Sequence, residues 1–270
     1  QNVSNLVNSS GVVASDVTGV GTARTYLEAA TYGGDKAVFA YGKTGSVVSL
    51  KNLCSNSGVI AADVTGVGTA RISAPAASYG SSGQAIFAFG YTGSYVSMSN
   101  LVTNVGVIGT DVTGVGTARA YAAALEYGTG LAIYAFGHTA SADVNTRNLV
   151  SNSGVIASDA TGAGTIRGNL AGTRYGGDKG IFAYGNATGI SNLVSNTGVV
   201  ASDVSAVDGV RTSPSGSAYG GDKAIFAFGH TGSAFLNNRA LVNNSGVIAS
   251  DASGAGTARY QLGSAGYSYS

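Results

Sequence analysis

The chain has no tryptophan, one cysteine, one methionine and two prolines among 270 residues, and only 10% of its residues are charged. A single cysteine, Cys54, excludes an intrachain disulfide and leaves the redox compartment unmarked. The formal net charge of +1 offers no electrostatic footprint for nucleic acid or an anionic membrane surface, so neither is expected as a partner. No apolar stretch approaches the roughly 18 residues that crossing a bilayer takes, and no membrane insertion is expected. The start, Gln1-Asn2-Val3-Ser4, has neither the basic region nor the apolar core of a signal peptide; the chain is expected either not to use that export route or to begin after processing. Also missing is any sustained 3.6-residue apolar period with helix caps, which makes helical solenoids poor candidates.

What is abundant is glycine, at 43 residues, together with a 44% share of hydrophobic residues, too apolar for a disordered polymer. These residues are organised as one unit written six times. Its markers are an Asp and an Arg eight residues apart: Asp16 and Arg24, Asp63 and Arg71, Asp111 and Arg119, Asp159 and Arg167, Asp203 and Arg211, Asp251 and Arg259. Successive Arg residues follow at 47, 48, 48, 44 and 48 residues, a period that belongs to one supersecondary unit arrayed along the chain. An uninterrupted repeat leaves no place for a boundary, so residues 1–270 read as one domain.

Within the unit, Ala37-Val-Phe-Ala-Tyr41 and its counterparts, such as Ala85-Ile-Phe-Ala-Phe89, are too short for a helix and rich in strand formers. Alternation puts Phe39 and Tyr41 on one face and Val38 and Ala40 on the other; both faces are apolar, so both must be covered. Gly33-Gly-Asp-Lys36 and its copies carry hairpin-turn residues joining this strand to an Ala-rich one. Asn52-Leu-Cys and Gly58-Val-Ile-Ala-Ala62 read as two further strands. Four short strands per unit, buried on both faces, predict an all-β chain, a six-bladed β-propeller of four-stranded blades, with a stacked β-solenoid as the competing arrangement. Tyr267 aligns with Tyr32 and Gln1 with Val48. The closing blade is therefore expected to be built from both termini and to lack its aromatic strand, leaving either a weak blade or a place for a strand from another chain.

The tract Thr-Ala-Arg, a small-residue strand, Gly-Gly-Asp-Lys, then Ala-Ile-Phe-Ala-Phe-Gly resembles the kelch repeat, and is similar to the repeat of the regulator-of-chromosome-condensation family. Where the kelch repeat has the second Gly of a pair, this chain has Lys43, Tyr91, His138, Asn186 or His230. The kelch resemblance implies that the loop carrying the Arg and the loop after the aromatic strand share one face, where ligands of that family bind. The Gly-, Ala-, Ser- and Asn-rich wording also resembles repeat proteins of bacteriophage tails, which implies a virion or extracellular location.

Chemistry needs unlike groups that converge, and a repeat supplies like ones. The two histidines, His138 and His230, have no Cys or carboxylate at metal-ligand spacing, and no Gly-x-Ser-x-Gly elbow or complete P-loop is present. Gly42-Lys43-Thr44-Gly45 reads as a turn. No metal, no cofactor and no enzymatic activity are expected. Each Arg is expected to bond an Asp or backbone carbonyls of its own or the next unit; the competing use is a ring of cations at one mouth holding an anion. Cys54, standing where the other copies have Val, reads as a core thiol. The position occupied by Lys43, Tyr91, His138, Asn186 and His230 is where near-identical copies diverge, and it is the candidate ligand-binding rim, with Tyr95 and Phe235 as stacking surfaces for sugars. The expected function is a noncatalytic structural or recognition part of an assembly, with other protein subunits as partners; the alternative is a lectin-like module that binds cell-surface glycans.

Overall fold

A computed structural model describes residues 2–205 and 209–267, and they form an all-β molecule of small antiparallel sheets with no helix among the described residues. A short pair, β1 (Val3–Ser4) and β2 (Val17–Thr18), precedes the first full repeat. That repeat supplies β3 (Glu28–Tyr32), β4 (Lys36–Ala40) and β5 (Lys51–Cys54). The second supplies β6 (Ala76–Tyr79), β7 (Gln84–Ala88) and β8 (Ser99–Val102), and the third β9 (Ala123–Tyr127), β10 (Leu131–Ala135) and β11 (Arg147–Val150). The fourth runs through β12 (Ala171–Tyr175), β13 (Lys179–Ala183), β14 (Ile190–Val194) and β15 (Val204–Ser205), and the fifth through β16 (Ser215–Tyr219), β17 (Lys223–Ala227) and β18 (Arg239–Val242). In each of these five sheets the aromatic strand lies between the Ala-rich strand and the third one.

The Gly-Gly-Asp-Lys hairpins form as their residues demand: Tyr32 pairs with Lys36, and Gly33 and Gly34 hold φ at 63° and 81°, angles that cost a side chain dearly. The expected fourth strand is mostly reduced to single bridges, such as Ile60 with Cys54 and Val64 with Lys51; only β15 in the fourth repeat and its counterpart β2, paired with β1, are regular strands among the described residues. The outer chain turns away from the ladder between these bridges, so it makes contact without a continuous register.

Consecutive sheets pack face to face. The cluster between the first and second contains Val38, Ala40 and Tyr41 from one side and Ala85, Phe87 and Val102 from the other. This corrects the expected sidedness, since Tyr41 lies with Val38 and Ala40 and not with Phe39. The strand ends at Ala40, and Tyr41 adopts φ of 64°, which swings its ring to the opposite face. Phe89, Phe136, Tyr184 and Phe228 do the same at 62°, 63°, 66° and 62°. Five such left-handed aromatics, each costing of order 1–2 kcal/mol, persist because the next repeat grips them. Tyr41 meets Phe87 edge to face at 5.4 Å, Phe89 meets Tyr134 at 5.4 Å, Phe136 meets Phe182 at 5.6 Å and Tyr184 meets Phe226 at 5.5 Å.

The two ends of the chain meet. The Asp16 carboxylate accepts hydrogen bonds from Thr257 and Arg259, and Thr31 donates to the Gly266 carbonyl. Residues 263–266 thus lie between β16 and β3, with Ser264 donating to the Gly216 carbonyl on the other side.

Candidate functional site

The repeated Asp and Arg form clasps between repeats. The Arg does not pair with the Asp eight residues before it; it reaches the Asp of the following repeat. Arg119 is 3.9 Å from Asp159, Arg71 is 4.0 Å from Asp111, Arg211 pairs with Asp251, and Arg259 is 3.4 Å from Asp16. At four of the six junctions, those of Arg24, Arg119, Arg167 and Arg259, an asparagine accepts from the Arg and donates to the Asp. Arg119 donates to the Asn148 side-chain carbonyl at 2.7 Å, Asn148 donates to Asp159 at 2.8 Å, and Thr117 Oγ1 donates to the same carboxylate at 2.6 Å. Asn52, Asn100, Asn192 and Asn5 stand in the same place; in the fifth repeat Ala240 replaces it, and there Arg211 reaches Asp251 directly. Sequence reasoning overlooked these asparagines, although five of six copies carry one.

Five of the six Arg residues also lie over the left-handed aromatic of the preceding repeat: Arg71 over Tyr41 at 4.1 Å, Arg119 over Phe89 at 4.0 Å, Arg167 over Phe136 at 4.3 Å, Arg211 over Tyr184 at 5.3 Å and Arg259 over Phe228 at 4.1 Å. Arg71, Arg119, Arg167 and Arg211 are fully buried, so these four present no cation to solvent. Burial lowers Arg119 and Arg167 to about 10, which leaves them charged at neutral pH. Burial pushes the Asp63, Asp111, Asp159 and Asp203 carboxyls up, but hydrogen bonds from the Thr and Asn, with the Arg charge, outweigh it and hold all four below the usual range. Asp16, hydrogen-bonded by Thr257 and Asn5, is lowered to about 2. Cys54 is buried, and burial raises its thiol pKa, a setting that disfavours the reactive thiolate.

The divergent position sits where the chain leaves each aromatic strand, held by bridges to both sides: Thr25 to Lys43 to Val47, Ile72 to Tyr91 to Tyr95, Ala120 to His138 to Asp143, and Thr212 to His230 to Phe235. Three of the five candidates are brought together. Tyr91 packs on Tyr95 with ring centroids 5.1 Å apart, Tyr95 packs on His138 at 5.7 Å, and Asp143 joins His138 Nδ1 at 2.8 Å to the Asn186 amide at 2.5 Å. His230 belongs to a second group, with Phe235 at 5.2 Å and Tyr260 at 5.6 Å; Phe235 and Tyr260 stack nearly parallel at 5.0 Å. Phe235 is 55% exposed. Lys43 stands apart and exposed. Asp143 and Tyr260 were not among the candidates, yet Tyr260 was visible: its counterparts are Thr25, Ile72, Ala120, Gly168 and Thr212.

Two cavities complete the picture. A narrow one of about 90 Å³ is lined by all six repeats, through Tyr26, Ser73, Tyr121, Asn169, Ser213 and Gln261 among others. Glu28 opens into it, and burial raises its carboxyl to about 8. The second is a cleft of about 1160 Å³ between the fifth and first repeats. Among the described residues, no group of three or more His, Cys, Asp or Glu is placed to hold a metal ion. No family model matches the chain, and no curated protein matches it in sequence.

Proposed function

We propose that the chain is a noncatalytic six-bladed β-propeller serving as a structural and recognition part of a larger assembly, in a virion appendage of the kind its repeat wording resembles. The propeller reading is supported by the cavity that all six repeats line and by the clasp of Arg259 on Asp16, which joins last repeat to first in the same way as the internal junctions. The observation that carries the assembly reading is a row of exposed valines at one repeated position on the outer chain: Val12, Val59, Val107, Val155, Val199 and Val247 are 49%, 65%, 54%, 64%, 58% and 55% exposed. Single exposed apolar residues are ordinary, but one per repeat at a fixed place makes a periodic apolar perimeter suited to lateral packing against other subunits. Multi-angle light scattering at rising concentration tests this. Association is expected for the natural chain and its loss for the quadruple variant Val59→Lys, Val107→Lys, Val155→Lys, Val199→Lys; a natural chain that stays monomeric throughout would count against it.

The lectin-like reading is favoured by a different feature, the Phe235 and Tyr260 stack beside His230, a flat aromatic surface with a polar edge of the kind that packs on sugar rings. A glycan array with the natural chain and the Tyr91→Ala, His230→Ala double variant separates the two. Binding lost in the variant supports a sugar-binding rim, and absence of any bound glycan removes it.

A further inference from the structure

The cleft has the form of one missing strand. On one wall stand Ile225, Ala227 and Phe228 of the fifth repeat, on the other Ala37 and Phe39 of the first. Its two edges are backbone. Residues 263–267 align with β3 and belong to no strand, and β1, which aligns with the start of β5, pairs only with β2 among the described residues. In the five complete sheets an aromatic strand of five residues lies between the corresponding edges.

Among the described residues, three interactions made at the other junctions lack a partner here. Phe87, Tyr134, Phe182 and Phe226 are fully buried, but their counterpart Phe39 is only partly so, because no left-handed aromatic from a preceding repeat meets it. Phe228 has the Arg259 guanidinium above it but no central aromatic edge-on to it, as Phe89 has Tyr134. Arg24, buried like Arg71, Arg119, Arg167 and Arg211, has no ring beneath it among the described residues, whereas the five other clasp arginines do. A carbonyl is left over as well. Gly42, Gly90, Gly137, Gly185 and Gly229 each donate to the carbonyl of the next clasp Arg, and no glycine precedes Arg24 in this way among the described residues.

We propose that this cleft is a strand-acceptor site, filled by an extended segment of a partner polypeptide with the pattern Ala-Ile/Val-Phe/Tyr-Ala-Phe/Tyr-Gly. Transferring the register of β4, the first Ala of the donor faces Val7 and its first aromatic lies between Ser264 and Asn5, where it supplies the ring that Phe228 lacks. Its second aromatic turns left-handed beneath Arg24 and closes on Phe39, and its Gly donates to the Arg24 carbonyl. Backbone pairing on both sides would supply affinity and the alternating side chains specificity, the mode of β-strand addition. A second copy is a poor donor, since all five of its aromatic strands are already paired on both sides. The proposal rests on the reading of the chain as part of an assembly, but on a surface separate from the valine perimeter and the rim.

The test uses the chain of 270 residues and a synthetic peptide, Gly-Gly-Asp-Lys-Ala-Ile-Phe-Ala-Phe-Gly-His-Thr, a copy of residues 220–231. The control peptide exchanges each apolar pair, Ile-Ala-Ala-Phe for Ala-Ile-Phe-Ala, which moves the aromatic to the wrong face. Calorimetric titration is expected to show binding at least about ten-fold tighter than the control and about ten-fold weakening in the Phe39→Ala variant, the size expected for loss of a buried aromatic partner. Hydrogen exchange should show new protection at residues 3–7 and 263–266, and the unfolding midpoint should rise with peptide concentration. Equal affinity for the control, or binding without protection at those two edges, overturns the proposal. So does a dimer of the quadruple valine variant that itself protects residues 3–7 and 263–266 and excludes the peptide, which would assign the cleft to a second copy. None of these results bears on the valine or glycan experiments.

Discussion

Glu28 is the one ionisable group at its repeat position; the other copies place Pro75, Ala123, Ala171, Ser215 and Gly263 there. Glu28 lines the cavity of about 90 Å³, and burial lifts its carboxyl to about 8. In the unfolded chain the same carboxyl ionises near its ordinary value of about 4.3. Between these values the unfolded chain releases a proton that the folded chain keeps, so this group lowers stability as pH rises from about 4 to 8, and the full cost is present above 8. The clasp carboxylates act in the opposite sense and at lower pH: Asp16, at about 2 when folded, adds stability that is complete above its unfolded value near 4 and is lost as pH falls toward 2. Glu28→Gln is therefore expected to remove the decline on the alkaline side and leave the acid side unchanged. Urea unfolding midpoints at pH 5 and pH 8.5 check this. The natural chain should lose on the order of 4 kcal/mol more than the variant between the two, and parallel losses in both would show that Glu28 is solvated.

At the scale of elements, the sheets fit by exchanging bulk across junctions. Leu125 of β9 stands where the other repeats have Ala30, Ala77, Thr173 and Ser217, and the facing Gly180 of β13 stands where they have Ala37, Ala85, Ala132 and Ala224. A Cβ at Gly180 would overlap the Leu125 side chain. Gly180→Ala is expected to destabilise by about 1–3 kcal/mol through overpacking, while the double variant with Leu125→Ala should recover most of that loss; additive losses in a denaturant-unfolding cycle would contradict the pairing. Such compensation is legible in the repeat once two copies are known to touch, and the sequence states the repeat but not the contact. The same distinction explains the rest. Strands, hairpins and the aromatic centre of each sheet follow from alternation and Gly-Gly-Asp-Lys, both local signals. The face of Tyr41 does not, because a left-handed residue at the strand end breaks the alternation without any glycine to announce it. Asp16 and Arg24 mark one repeat yet serve opposite junctions, so their spacing of eight residues suggested a pair that the packing separates. Of the candidate rim, the divergence of five positions was readable; the linkage of His138 to Asn186 through Asp143 depends on two loops meeting across a junction.

For the whole molecule, the junctions are not equal, and their differences set where it opens. Four of them bury a central aromatic of one sheet against the left-handed aromatic of its neighbour. The junction of the fifth repeat with the sixth buries Val13, Ile225, Ala227 and Phe228, with no ring-to-ring contact to Phe228 among the described residues, and the sixth meets the first across the cleft. What holds the ends together is largely polar: the Asp16 clasp with Thr257 and Arg259, and the Thr31 bond to Gly266. Partly exposed ion pairs and single hydrogen bonds contribute about 1 kcal/mol each, whereas a buried aromatic contributes several. On the propeller reading, a closed ring ruptures at its weakest junction before it unfolds, and that junction is this one. Native-state hydrogen exchange is expected to show residues 3–18 and 259–267 exchanging through openings at least about 2 kcal/mol less costly than those that expose β7, β10 and β13, the level expected of a separate low-stability unit. The gap should narrow when the strand peptide is bound, because the missing rings and backbone pairs are then supplied. Uniform exchange free energies across all six repeats in the free chain would mean that the polar clasp alone closes the ring as firmly as the aromatic junctions do.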